Sequence, residues 1–223
     1  MRLYGVPLSV HTRKVQLALR AKRLAHDLSV VIPIMPDTLP ENWTQLSPTG
    51  LIPVLEDGAF VLPDSSAIIQ YLDANYPDTP LTPADPQLRG RALWLEAYLG
   101  AFFREVIHPL FHQRVVAPMR GATPDTDVID DAISRIAPRY FEYLNREIDG
   151  TWLVGETMSV ADIAVGANLV LLYYLGETIS VSQYPALTRY LKALLKSSAF
   201  VEQLKAELPF TEQMGFSQAT LAA

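Results

Sequence analysis

Two short stretches carry residue types suited to holding a small charged ligand. The first is Leu51-Ile52-Pro53. Proline has no N–H to give to a sheet, so near the start of a strand it leaves Ile52 with an unpaired backbone N–H and C=O. Such a pair can take an extended peptide as an added strand, and a cis bond at this proline would be a selected feature. The second is Asp64-Ser65, which stands before SAIIQYLDANY, where Ala67, Ile68, Tyr71, Leu72 and Asn75 recur at helical spacing. Asp64 offers a carboxylate to an ammonium, while the Ser65 hydroxyl and the free N–H groups of a helix N-terminus suit a carboxylate. Together they fit the head group of an amino acid. Asp and Ser are also ordinary N-cap residues, and either role fits these types.

Two further groups invite a chemical reading. Arg13 and Lys14 fall in the first turn of a predicted helix, where positive side chains oppose the macrodipole. They serve either a function or only a solvated surface turn. His108 and His112 have the i, i+4 spacing of a metal pair, but Pro109 lies between them and no third ligand stands nearby, so no metal centre is expected.

Elements must position these residues. Residues 50–65, GLIPVLEDGAFVLPDS, read as a strand, a tight turn at Asp57-Gly58, a second strand and the start of a helix. Upstream, RLY forms a strand ended by Gly5 and Pro7, and a helix from about Thr12 buries Val15, Ala18 and Leu19. DLSVVIPI supplies another strand, and ENWTQLSP a turn or two of helix. The order βαβ-α-ββα gives a four-stranded sheet with helices on its faces, a thioredoxin-like α/β domain over residues 1–76. Prolines at 77, 80, 83 and 86 mark residues 77–86 as a polyproline-type linker.

Residues 87–223 read as an all-helical domain. Leu88, Ala92, Leu95, Leu99, Phe102 and Val106 form the seam of one long helix, and Trp94 and Tyr98 add a second stripe that needs a subunit or ligand to cover it. Ile129, Ile133, Ile136, Tyr140 and Leu144 define the next helix, with a kink expected at Pro138. Ser159 and Asp162 have capping-box spacing before a run apolar nearly all round, which predicts a central buried helix. Pro185 opens another helix, and FVEQLKAEL a short last one.

Composition narrows the function classes. Of 223 residues, 49% are hydrophobic and 19% charged, as in an ordinary globular chain. The net charge of −6, with no basic cluster beyond Arg20, Lys22 and Arg23, argues against a nucleic-acid surface. With no cysteine, the chain has no protein thiol to act as nucleophile and no disulfide, which fits a reducing compartment. The N-terminus lacks the apolar run of a signal peptide and no stretch reaches membrane-spanning length, so a cytoplasmic protein without a membrane partner is expected.

Taken in order, PLSVHTRKV, SPTGLIPVL, PDSSAI, the proline linker and SVADI resemble a cytosolic glutathione transferase over nearly the whole chain. PLSVHTRKV is most similar to serine-type members, the plant phi-like pattern and its bacterial relatives. The resemblance implies Ser9 as catalytic hydroxyl, with Thr12 as the alternative, Ile52 and Pro53 pairing with the cysteinyl backbone of glutathione, and Asp64 and Ser65 holding its γ-glutamyl end. It further implies glutathione as co-substrate, no metal, a homodimer, and a detoxifying role in which glutathione is conjugated to small hydrophobic electrophiles. Isomerisation, peroxide reduction or non-catalytic binding on the same scaffold are the alternatives. Tyr98, Phe102, Phe103, Leu110 and Tyr173 are candidates for an apolar electrophile pocket.

The chemistry asks for a lowered thiol pKa. A shift of about two units from 8.5 corresponds to roughly 2.7 kcal/mol, which a hydroxyl donor and a helix N-terminus can supply together. One departure from the family pattern stands out: residues 27–88 contain no Lys, Arg or His to meet the glycyl carboxylate. Gln45, Asn42 or Trp43 would have to substitute with neutral hydrogen bonds, or a cation such as Arg104 or Arg13, or one from a second subunit, would have to reach in. Otherwise glutathione is held weakly.

Overall fold

The computed structural model describes residues 1–222. Its N-terminal half is a four-stranded mixed sheet in the order β2-β1-β3-β4. Strand β1 (Arg2–Gly5) leads into α1 (Val10–Ala21), which returns to β2 (Asp27–Val30), parallel to β1. A single 3₁₀ turn (Pro36–Thr38) and α2 (Trp43–Leu46) then precede β3 (Val54–Asp57), which runs antiparallel to β1 and β4 (Phe60–Pro63). Helix α3 (Ser65–Asn75) closes the unit. Alternation along the strands separates two cores. Leu3 and Leu55 face a large cluster that continues through Leu17 to Val165 and Leu169 of the helical half. Tyr4 and Val54 face a small one with Val31, Trp43 and Leu46.

Two expectations for this half need correction. Asp57 pairs with Phe60, so the hairpin turn is Gly58-Ala59, one residue later than the Asp-Gly signal suggests. Gly58 takes the first central position at φ +62°, a conformation that favours glycine. Asp57 stays in the ladder while its carboxylate accepts hydrogen bonds from the Tyr71 and Tyr76 hydroxyls at 2.9 and 3.0 Å. Strand β2 stops at Val30 rather than running to Ile34. The Ile32 N–H is taken by Thr38 Oγ1 at 2.8 Å, and Pro33 has no N–H to continue a ladder.

The proline segment is pinned rather than a free spacer. Asp73 accepts from the Leu81 and Thr82 amides at 3.0 and 2.7 Å, and Lys22 Nζ bonds Asp73 at 2.7 Å and the carbonyls of Tyr76 and Thr79 at 2.9 and 2.8 Å. Pro86 belongs to the next helix, as its first residue, where its missing N–H costs nothing.

Helix α4 (Pro86–Phe102) is followed by α5 (His108–Phe111), α6 (Ala117–Met119), α7 (Thr126–Asp130) and α8 (Ala137–Glu147). Between them lie three π-helical segments, Phe103–Ile107, His112–Val116 and Asp131–Ile136. Each precedes a proline, Pro109, Pro118 or Pro138, and a widened turn relieves both the missing N–H and the ring's clash with the carbonyl four residues back. The disturbance expected at Pro138 therefore takes the form of a π segment.

Helix α9 (Val160–Tyr174) is the buried centre, with only Tyr173 partly exposed. The Asp162 carboxylate at its start accepts from the Ser159 and Leu153 amides at 2.8 and 2.9 Å and from the Tyr190 hydroxyl. Burial, reinforced by Asp162, raises the Tyr190 pKa well above that of an ordinary phenol. Gly166 admits Phe200, since a Cβ there would lie 2.2 Å from the ring. Helices α10 (Pro185–Leu194), α11 (Ser198–Met214) and α12 (Ala219–Ala222) complete the chain, α11 being longer than expected and holding Pro209 inside it.

Candidate functional site

Strand register brings the first candidates to one end of the sheet. Tyr4 pairs with Val54, and Val54 with Pro63, so the loop after β1, the approach to β3 and the start of α3 leave the sheet side by side. Ile52-Pro53 is a cis peptide, and the Ile52 N–H and C=O make no backbone hydrogen bond among the described residues. Ser47 helps to shape this approach, its hydroxyl donating to the Leu51 carbonyl at 2.7 Å.

Ser9 is the N-cap of α1. Its Oγ accepts from the Thr12 N–H at 3.4 Å, and it is partly exposed. Accepting that bond uses an oxygen lone pair and leaves the hydroxyl proton to be donated elsewhere. Thr12 is fully enclosed, and a Cβ at Gly5 would meet its Oγ1 at 2.4 Å, so the glycine is what lets α1 approach β1 this closely. Of the two hydroxyls, only that of Ser9 lies open.

Asp64 caps α3 with a single oxygen, Oδ1, which accepts from the Ser66 and Ala67 amides at 2.9 and 3.0 Å. Its φ of +77° is a strained value for a residue with a side chain. Oδ2 has no partner among the described residues, so capping and binding a cation are compatible. Ser65 is nearly sealed at 2% exposure, and its hydroxyl lies 3.4 Å from His11 Nδ1. His11 also packs edge-on against Phe103, with ring centroids 4.6 Å apart. Burial first, then the nearby Lys14 charge, lowers the His11 pKa to about 4, so the ring is neutral at neutral pH. Sequence reasoning passed over His11, because one histidine in a helical first turn has no motif of its own.

Arg13 and Lys14 fit neither reading offered above. Arg13 is fully buried, its Nε and second guanidinium nitrogen on Glu207 at 2.7 and 3.1 Å, its first on the Ala167 carbonyl at 2.9 Å, and its plane over the Tyr174 ring. Glu207 also accepts from the Tyr174 hydroxyl and Gln203 amide at 2.8 and 2.9 Å. Lys14 Nζ meets Glu96 Oε1 at 2.6 Å, and Ser66 donates to the same oxygen at 2.7 Å. Both cations bolt α1 to the helical half, and these carboxylates offset their unfavourable place in the helix dipole. Arg13 is therefore not available to a glycyl carboxylate. Arg104, Gln45 and Asn42 are exposed, whereas Trp43 is packed in the small core.

The profile described as "Glutathione S-transferase, N-terminal domain" matches residues 3–80, and that of the C-terminal domain matches residues 103–197. The chain belongs to the cytosolic glutathione transferase family. It is 30% identical to glutathione S-transferase 3 of Zea mays over 73% of each chain. It is equally 30% identical to the FtsZ-localized protein A of Caulobacter vibrioides over 85% of each. A glutathione S-transferase structure from Sinorhizobium meliloti superposes with a TM-score of 0.84 at 25% identity, covering 99% of this chain and 97% of that one.

In this glutathione transferase family member the five apolar candidates do not share one wall. Phe102 and Leu110 are core, at 1% and 0% exposure. Tyr98 lies among Trp94, Tyr140 and Tyr143, where burial raises its pKa to about 12. Tyr173 lines a cavity of about 220 Å³ with Ile179, Leu191 and Leu221, all from the helical half. Phe103 alone of the five touches the N-terminal site, through His11. The Trp94 stripe is partly covered by Tyr143, whose hydroxyl accepts from the indole N–H at 3.0 Å, yet Trp94 remains 50% exposed. His108 and His112 are exposed, and among the described residues no group of three or more ligating side chains gathers. No helix of the described residues is long and apolar enough to cross a membrane.

Proposed function

We propose that the chain binds glutathione at the end of the sheet and lowers its thiol pKa for attack on small hydrophobic electrophiles. Ile52 takes the cysteinyl backbone as an added strand, Asp64 Oδ2 the γ-glutamyl ammonium and Ser65 its carboxylate. Ser9 donates to the thiolate, aided by the N-terminus of α1. The observation that carries this reading is the state of Ser9: its oxygen already accepts the capping bond, its proton has no acceptor among the described residues, and it is partly exposed in the loop that leaves the sheet at the same end as the approach to β3. A cytoplasmic homodimer joined through the Trp94 face accompanies the reading, and sedimentation at micromolar concentration should give twice 24.8 kDa. Retention on immobilised glutathione together with turnover of a generic aryl halide tests it. Failure of both would sink it.

A second reading is favoured by a specific observation: Arg13 and Lys14 are consumed by Glu207 and Glu96, and residues 27–88 carry no cation. A chain that holds glutathione weakly and works as a binding protein fits these facts, and the similarity to a protein named for localising with FtsZ runs the same way. Millimolar glutathione affinity by calorimetry, without aryl-halide turnover, would favour it.

A further inference from the structure

The Ser65 hydroxyl, assigned above to the γ-glutamyl carboxylate, has His11 as its partner and is almost closed to solvent. A hydroxyl with one proton and one good neighbour can point in two ways. If it donates to His11, it turns its proton away from the ligand. If His11 donates, the proton is left for a carboxylate. We propose that His11 is a positioning residue of the head-group subsite, its Nδ1–H holding the Ser65 oxygen so that the serine proton faces the γ-glutamyl carboxylate. This inference rests on the glutathione-binding reading.

Three features of the structure converge on it. His11 sits two residues after Ser9, in the first turn of α1, so one short segment supplies both the thiolate donor and the residue that aims Ser65. Its ring is wedged edge-on against Phe103, which restricts rotation and fixes Nδ1 toward Ser65. A neutral ring is required, because a second cation beside Lys14 would draw the Asp64 carboxylate away from the ligand's ammonium, and the burial that lowers the His11 pKa meets this need. Phe103 belongs to the first π segment of the helical half, so the same histidine ties the head-group subsite to that half.

The test is calorimetric titration of glutathione into the full chain and four variants, His11→Ala, His11→Asn, Ser65→Ala and the Ser65→Ala/His11→Ala pair. Losing one net hydrogen bond predicts a weakening of about 3- to 10-fold for His11→Ala. Asparagine places its amide near Nδ1 and should bring binding back to within about 3-fold of wild type, since it restores the donor. The pair should bind no more weakly than Ser65→Ala, because His11 acts only through that hydroxyl. In steady state the KM for glutathione should rise while kcat and the KM for the electrophile move less. Unchanged affinity in His11→Ala, no rescue by asparagine, or additive losses in the pair would overturn the role of His11 and leave glutathione binding intact. Wild-type protein that fails to bind glutathione at millimolar concentration would overturn the underlying reading, and this one with it. Should His11→Ala not fold, His11→Gln replaces it: glutamine reaches the place of Nε2, so weak binding by glutamine beside tight binding by asparagine is expected, and the reverse order contradicts the proposal.

Discussion

Replacing Arg13 with alanine separates a structural bolt from a ligand contact. Both Arg13 and Glu207 side chains are fully buried, and the guanidinium makes two hydrogen bonds to the carboxylate and one to the Ala167 carbonyl. Removing one partner of such a pair strands the other charge out of water and typically costs about 3–5 kcal/mol. At roughly 2–4 °C per kcal/mol for a chain of this size, the melting temperature should fall by about 6–20 °C. Most of that loss is the orphaned Glu207 rather than the missing attraction. Arg13→Ala/Glu207→Gln should therefore regain at least about 1 kcal/mol, although Tyr174 and Gln203 then share a weaker acceptor. Urea denaturation of wild type, the single variant and the double variant measures these differences, and calorimetry on the folded variants shows whether glutathione affinity follows. A loss below about 1 kcal/mol, combined with a hundredfold fall in glutathione affinity, would refute the reasoning and return Arg13 to the ligand.

Ser9→Ala should keep glutathione binding but raise the bound thiol's pKa, with a rate loss on the order of ten- to a thousand-fold, read by ultraviolet titration and aryl-halide turnover. Glutathione and its glycyl amide should bind within roughly tenfold of each other by calorimetry, since a neutral partner gives about half of a charge-assisted bond; a hundredfold preference for the acid would mean that Arg104 or a second subunit supplies a cation. Protonating His11 should destabilise the fold. Its folded pKa is lowered, so the unfolded chain binds the extra proton first, and stability should be lost as pH falls from about 6.5 toward 4, with Lys14 adding to the loss and Asp64 and Glu96 opposing it. His11→Asn should flatten that limb in melts taken across the window.

What the sequence made legible was local. The hairpin, the Asp64 cap, the Ser159-Asp162 box and the apolar run of α9 are each written within a few residues, where propensity and spacing act directly. Arg13 and Lys14 were misread because their partners lie 194 and 82 residues away, and no local rule tells a buried cation from a solvated one. The apolar candidates scattered for a related reason: helical spacing marks the buried faces of α4 and α5, and Phe102 of the first and Leu110 of the second obey it by packing inward instead of lining a pocket. The turn moved by one residue because Asp57 is held in the ladder by tyrosines of α3 and the residue after it.

The central claim is that glutathione binds at the end of the sheet and loses its thiol proton there. Its most direct test is the ultraviolet absorbance of the thiolate, titrated with pH for glutathione bound to the wild-type protein. An apparent pKa of about 6–7, some two units below the free thiol, is expected from a hydroxyl donor and a helix N-terminus acting together. Bound glutathione that titrates at about 8.5 or above would contradict it.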